Sequence, residues 1–132
     1  MTAHRSALLS IAGISLILAA TLTGCTGDPG PFTGGEPAEL PSQNSGQPAL
    51  SDIRYMGADE DDTEYYIGRS DQADTKFCVM AYPQDTEPVN ICAGSLPVEG
   101  SFGTTSVRLS ETKETSDEEG TVLGSYLLIS EK

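Results

Sequence analysis

Five short stretches rich in strand formers are separated by turn residues, and in some of them apolar residues recur every second position, the period of a half-buried strand. In Glu64-Tyr65-Tyr66-Ile67-Gly68-Arg69 the strand formers run into a turn at Ser70–Asp74. Thr75 to Tyr82 then places Phe77, Val79 and Ala81 on one face and Cys78, Met80 and Tyr82 on the other. These two stretches predict a hairpin. Pro83–Pro88 is rich in turn residues, and Val89–Ala93 follows as a short strand beside its predecessor. Thr104 to Leu109 alternates with Thr105, Val107 and Leu109 on one side. Val122 to Ile129 predicts one buried terminal strand. Around Ala49–Met56 two periods compete. Leu50, Ile53 and Met56 recur every three residues, as in a short helix, whereas Ile53, Tyr55 and Gly57 alternate, as in a sixth strand. The pattern therefore predicts a mainly β domain, or a small α+β one, with a compact antiparallel sheet of about five strands.

A different pattern opens the chain. His4 and Arg5 precede an apolar run from Ala7 to Leu22, broken only by Ser10, Gly13, Ser15 and Thr21. This is the layout of an export signal over residues 1–24. The run is short for a membrane span, which needs about 20 residues. It ends in Leu22-Thr23-Gly24-Cys25, which resembles the lipobox of bacterial lipoproteins. In that family a diacylglycerol joins the cysteine thiol, and cleavage makes the cysteine residue one. The resemblance implies lipidation of Cys25 and a place on the outer face of the cytoplasmic membrane. It covers the first 25 residues only.

Lipidation of Cys25 leaves Cys78 and Cys92 as an even pair in an oxidising compartment. A bridge between them closes a loop of roughly 15 residues, which loop-closure arguments value at about 3 kcal/mol. A redox-active dithiol is the alternative, but the Cys-x-x-Cys spacing is absent. Residues 25–48 are dense in Pro and Gly, with Phe32 and Leu40 as their sizeable apolar side chains. This composition predicts a lipidated N-terminus and flexible tether, similar to the linkers of lipoproteins from high-GC Gram-positive bacteria. Residues 49–132 are then the folded domain. The run Tyr65–Arg69, Phe77–Met80 and a second cysteine some 14 residues on resembles small, uncharacterised membrane-attached lipoproteins of actinobacteria. That likeness implies a β-rich, disulfide-stapled module and no activity.

Charge and composition narrow the chemistry. His4 is the only histidine and leaves with the signal. That excludes histidine-based triads and His-containing zinc sites in the mature chain. Removing Arg5 brings the net charge from −13 to about −14, which opposes nucleic acid and anionic headgroups alike. No phosphate-binding glycine loop is present, and no cofactor is expected. Asp59–Asp62 with Glu64, and Glu111, Glu114, Asp117, Glu118 and Glu119, form two acidic runs. Neither has the alternating spacing that wraps calcium, so solvated loops are the better reading. Adjacent Tyr65 and Tyr66 point to opposite faces of their strand. One belongs to the core, and the other is a candidate for a partner surface.

Three functions follow as expectations. The first is a non-enzymatic, lipid-anchored surface domain that binds a protein or envelope component. The second is a structural or accessory lipoprotein, with a phage-encoded surface protein that blocks superinfection as one form. The third is a carboxylate-based hydrolase or a binder of a cationic solute.

Overall fold

Nine strands build two antiparallel sheets that pack face to face in a computed structural model, which describes residues 30–43, 47–115 and 120–131. The first sheet, A, is a meander in the order β1 (Glu36–Pro37), β2 (Leu50–Ala58), β3 (Glu64–Ser70), β4 (Phe77–Tyr82), β5 (Val89–Ala93). The second, B, has β6 (Val98–Phe102), β7 (Thr105–Leu109), β8 (Thr121–Leu123) and β9 (Leu127–Glu131) in the order β6-β7-β9-β8. The expected β class holds, with more strands than the five foreseen. Among the described residues the helical content is two single 3-10 turns, at Pro31–Thr33 and Ala73–Thr75.

Alternation on β4 sets the layers. Val79 and Ala81 face the second sheet and join Tyr65, Ile67, Val98, Val107, Leu109, Leu127 and Ile129 in the main core. Cys78, Met80 and Tyr82 face the other way, yet they too are buried, together with Tyr66. Their cover comes from the segment expected to be a tether. Ala38 and Leu40 pack on this outer cluster, and the Tyr82 hydroxyl donates to the Ser42 carbonyl at 2.6 Å. Before that the chain inserts Phe32 between the sheets, 5% exposed, with its ring 6.0 Å from that of Phe77. Arg69 lies over the Phe32 face at 4.1 Å. The boundary expected at 48/49 therefore does not mark where packing begins: residues 30–43 form a strap across sheet A. Buried contacts of Phe32, Ala38 and Leu40, with the β1–β2 pairing, hold in place a Pro/Gly-rich stretch that composition assigns to solvent.

The two periods of Ala49–Met56 resolve into a strand with a physical reason for the ambiguity. Between Ser51 and Arg54, β2 advances three residues while β3 advances from Arg69 to Ile67, a bulge marked by Asp52 at φ 49°. The extra residue puts Leu50 and Ile53 on one face at a spacing of three, which mimics a helix. A second irregularity at Tyr55/Gly57 turns Met56 inward to the main core.

The run Val122–Ile129, expected as one strand, is a hairpin. Gly124 and Ser125 sit at φ 56° and 70°, the two positive values a type I′ turn requires. The Tyr126 amide closes the turn on the Leu123 carbonyl at 3.3 Å. A Cβ on Gly124 would also stand 2.5 Å from the Met56 methyl, the far end of a flexible side chain that would have to shift, so it is the positive φ that favours glycine there.

Cys78 and Cys92 face each other directly in the β4–β5 ladder, Cα atoms 4.1 Å apart, and are joined by a disulfide. The staple expected from the sequence is in place. It ties the edge strand β5 to its neighbour β4.

Candidate binding surface

The residues singled out from the sequence fall into three groups. Cys25 lies outside the described residues. Tyr65 and Tyr66 do point to opposite faces, but neither is exposed: Tyr65 is in the main core and Tyr66 is under the strap, packed at 5.1 Å against the Tyr55 ring and 5.4 Å against Tyr82. The expectation that one of them faces solvent is overturned, because the cover arrives from residues about 25 positions upstream. Burial pushes the hydroxyl pKa values of Tyr66 and Tyr82 upward.

Of the first acidic run, Asp59 is committed to structure. Its Oδ1 accepts the amides of Asp61 at 2.9 Å and Thr63 at 3.1 Å, shaping the β2–β3 loop. Its Oδ2 accepts the Tyr65 hydroxyl at 2.8 Å. Burial first, and this hydrogen bond second, drive the Tyr65 pKa far upward. Asp59→Ala is expected to cost about 1–3 kcal/mol, because the buried hydroxyl and two loop amides lose their acceptor. Urea titration checks it, and the loss should shrink when Tyr65→Phe has already removed the hydroxyl.

Asp59, Glu60, Asp61 and Glu131 line a concavity of about 490 Å³ with Gly120, Thr121 and Ile129. Among the described residues, no group of three or more His, Cys, Asp or Glu is placed to hold a metal ion. Of the second run, Glu114 is engaged and Asp117, Glu118 and Glu119 lie outside the described residues. Arg108 donates to Glu114 through Nε at 2.8 Å and Nη2 at 2.9 Å, and the Ser110 hydroxyl donates to the same carboxylate. The Arg108 pair holds the Glu114 carboxyl below its ordinary 4.5, against the opposing effect of burial. Because the folded pKa is the lower one, this pair stabilises above the unfolded value and the benefit is lost as pH falls through the folded value. Glu114→Gln should lower stability at pH 7 by about 1 kcal/mol or less, since water screens the arginine. The gap to the parent should narrow in paired thermal melts as the pH is lowered through and below the ordinary carboxylate range.

The outer faces of the two sheets differ in character. That of sheet A is apolar and lies under the strap. That of sheet B is polar, and its strands bring three serines into one row: Ser101 opposite Ser106, and Ser106 opposite Ser130. The next row holds Glu99, Arg108 and Leu128. These side chains line an open concavity of about 410 Å³. Glu99 and Ser101 belong to β6, which the sequence reading passed over. The signal was there, since Val98, Gly100 and Phe102 alternate with them ahead of the Gly103-Thr104 turn. Chemically, the surface offers hydroxyl donors and acceptors, one carboxylate and one guanidinium, and no nucleophile–base pair. Comparison with known proteins finds no matching family model, curated protein or solved structure.

Proposed function

We propose that this chain is a lipid-anchored, non-enzymatic surface module, held at the outer face of the cytoplasmic membrane through Cys25, whose sheet-B face binds a protein or envelope component. The asymmetry of the two outer faces carries this reading. A sandwich that needed only to be stable could leave both outer faces uniformly solvated. Here one is sealed by the strap, and the other presents small hydroxyls in register beside a paired arginine, over a concave floor. Shallow polar floors of this kind suit a partner rich in amide or hydroxyl groups. The signal-like segment ahead of Cys25 supports the location.

Two substitutions test the two halves separately. Cys25→Ser should release the protein from the membrane fraction into the medium and abolish incorporation of labelled fatty acid. Ser106→Arg fills the middle of the serine row, while Gln84→Arg adds the same charge on the exposed β4–β5 loop. Affinity capture from the native envelope should lose its partner with the first and keep it with the second. Equal capture by both variants places recognition elsewhere.

A further inference from the structure

Among the described residues, four strands lie at sheet edges, and they are protected unequally. On sheet A, β1 is two residues long and ends in Pro37. On sheet B, β8 has three residues, and the strap's Gly34 and Gly35 lie against Gly124 at its end. β6 presents Glu99. The fourth edge, β5, is five residues long, Val89-Asn90-Ile91-Cys92-Ala93, with no charge, no proline and no bulge in its pairing with β4. It has none of the devices that keep a foreign strand off an edge.

The backbone groups of β5 are aimed outward in a fixed pattern. Cys78 and Cys92 stand 4.1 Å apart at Cα, the close spacing of a facing pair that exchanges no backbone hydrogen bonds. Met80 and Asn90, two residues along, share that class. The amides and carbonyls of Asn90 and Cys92 therefore point away from β4. β6 belongs to the other sheet and shares no ladder with β5, and among the described residues no backbone group of a turn or loop bonds to either residue. Beside this edge, Val89, Ile91, Ala93, Leu96 and Phe102 are half-buried at the lip of the main core. Two donors, two acceptors and an apolar lip are what an added strand uses.

Charge selects the kind of strand. At the Val89 end the β4–β5 loop exposes Asp85 and Glu87, and among the described residues neither belongs to an ion pair. The Gln84 side chain donates to the Asp62 carbonyl at 3.2 Å, which brings the Asp59–Asp62 loop to the same end. At the Ala93 end, Gly94 packs on the β3–β4 connection, where Arg69 and Lys76 offset Asp71 and Asp74. The edge is uncharged along its length, balanced at one end and negative at the other. A second copy brings its own net charge of −13, which keeps such chains apart. A cationic chain is drawn in.

We propose that β5 is a docking edge for an extended segment of a partner protein. That segment adds antiparallel to β5, as every strand of sheet A does to its neighbour, and carries Lys or Arg just after its strand, against Asp85 and Glu87. Apolar residues alternate along it, one of them opposite Ile91 at the lip. The edge is distinct from the sheet-B face and does not depend on that face binding anything.

The probe is a fluorescein-labelled peptide, Val-Thr-Val-Thr-Val-Lys-Lys-Lys, added to the chain from Cys25 onward with Cys25→Ser. In the free chain the Asn90 and Cys92 amides should exchange about tenfold or more faster than the Ile91 amide, which faces β4. Saturating peptide should slow both by about tenfold or more. N-methylation of the two threonine amides, which face β5 when the valines meet the lip, should abolish binding measured by anisotropy. N-methylation of the valine amides should spare it. The same strand followed by three glutamates should bind about tenfold more weakly at low salt, with the gap narrowing in about 1 M salt. Asp85→Asn with Glu87→Gln should weaken the lysine peptide about threefold or more. Glu36→Gln with Glu39→Gln, the same charge change on the opposite side of sheet A, should leave its affinity unchanged. Unprotected Asn90 and Cys92 amides at saturation, or equal binding by both tails or by both methylated peptides, overturns the proposal. So does protection of these amides without peptide that rises with protein concentration alongside dimers in sedimentation, which assigns the edge to a second copy.

Discussion

A chain that begins at Ala49 is expected to fail as a folded domain, whereas one that begins at Gly30 should fold. The difference is the strap. Losing it empties the Phe32 site between the sheets, removes the pairing of Glu36 and Pro37 with Tyr55 and Arg54, and bares Tyr66, Met80 and Tyr82. Phe→Ala at a buried position alone costs about 3–5 kcal/mol. The uncovered outer cluster adds transfer cost for two tyrosines and a methionine. A domain of this size has a stability of about 5 kcal/mol to spend, and the lower end of the general range is typical. Circular dichroism melts of the two truncations decide it, with Phe32→Ala in the longer form as the intermediate case. Equal melting temperatures for the two truncations would show that the strap adds nothing to the fold.

The second large effect is expected at the disulfide. Replacing Cys78 and Cys92 together by alanine should cost about 3 kcal/mol from the open loop, plus a packing loss at Cys78, which is fully buried in the outer cluster. Reduction of the parent with a phosphine removes the cross-link but keeps both sulfur atoms in place. The reduced parent should therefore be more stable than the double-alanine chain in urea titrations. A reduced parent as stable as the oxidised one would mean that the β4–β5 ladder holds without the link. The truncation and the disulfide are expected to couple, because Ala38 and Leu40 pack on the same cluster that contains Cys78.

What was legible in the residues was local. The β3–β4 hairpin, the Cys78–Cys92 pairing and the facing of Phe77, Val79 and Ala81 follow from a period of two and clear turn residues. What was not legible depended on distant partners or on irregular backbone. The cover over Tyr66 comes from Ala38 and Leu40, and no pattern within β3 announces it. Phe32 looks isolated in its own stretch, and its site is built from Phe77 and Arg69, far along the chain. In β2 the bulge at Asp52 changed the period that the eye reads. In Val122–Ile129 the turn used Gly124-Ser125, weaker as a hairpin signal than Asn-Gly, inside a run otherwise apolar. The candidate surface was missed for a related reason: Ser101, Ser106 and Ser130 are unremarkable singly, and only the ladder brings them into one row.

The shortest strand in the fold has a consequence for crowding. β1 is two residues long, is exposed, and ends in Pro37, which has no amide hydrogen to offer. It occupies the flank of β2 where a neighbouring molecule could otherwise add a strand, and Glu36 puts a charge beside it. Under the anchoring proposed at Cys25, copies would meet each other side on, in similar orientation, the arrangement that most favours edge-to-edge zippering. The strap closes that edge of sheet A, so such a population can be dense and still remain a set of separate molecules.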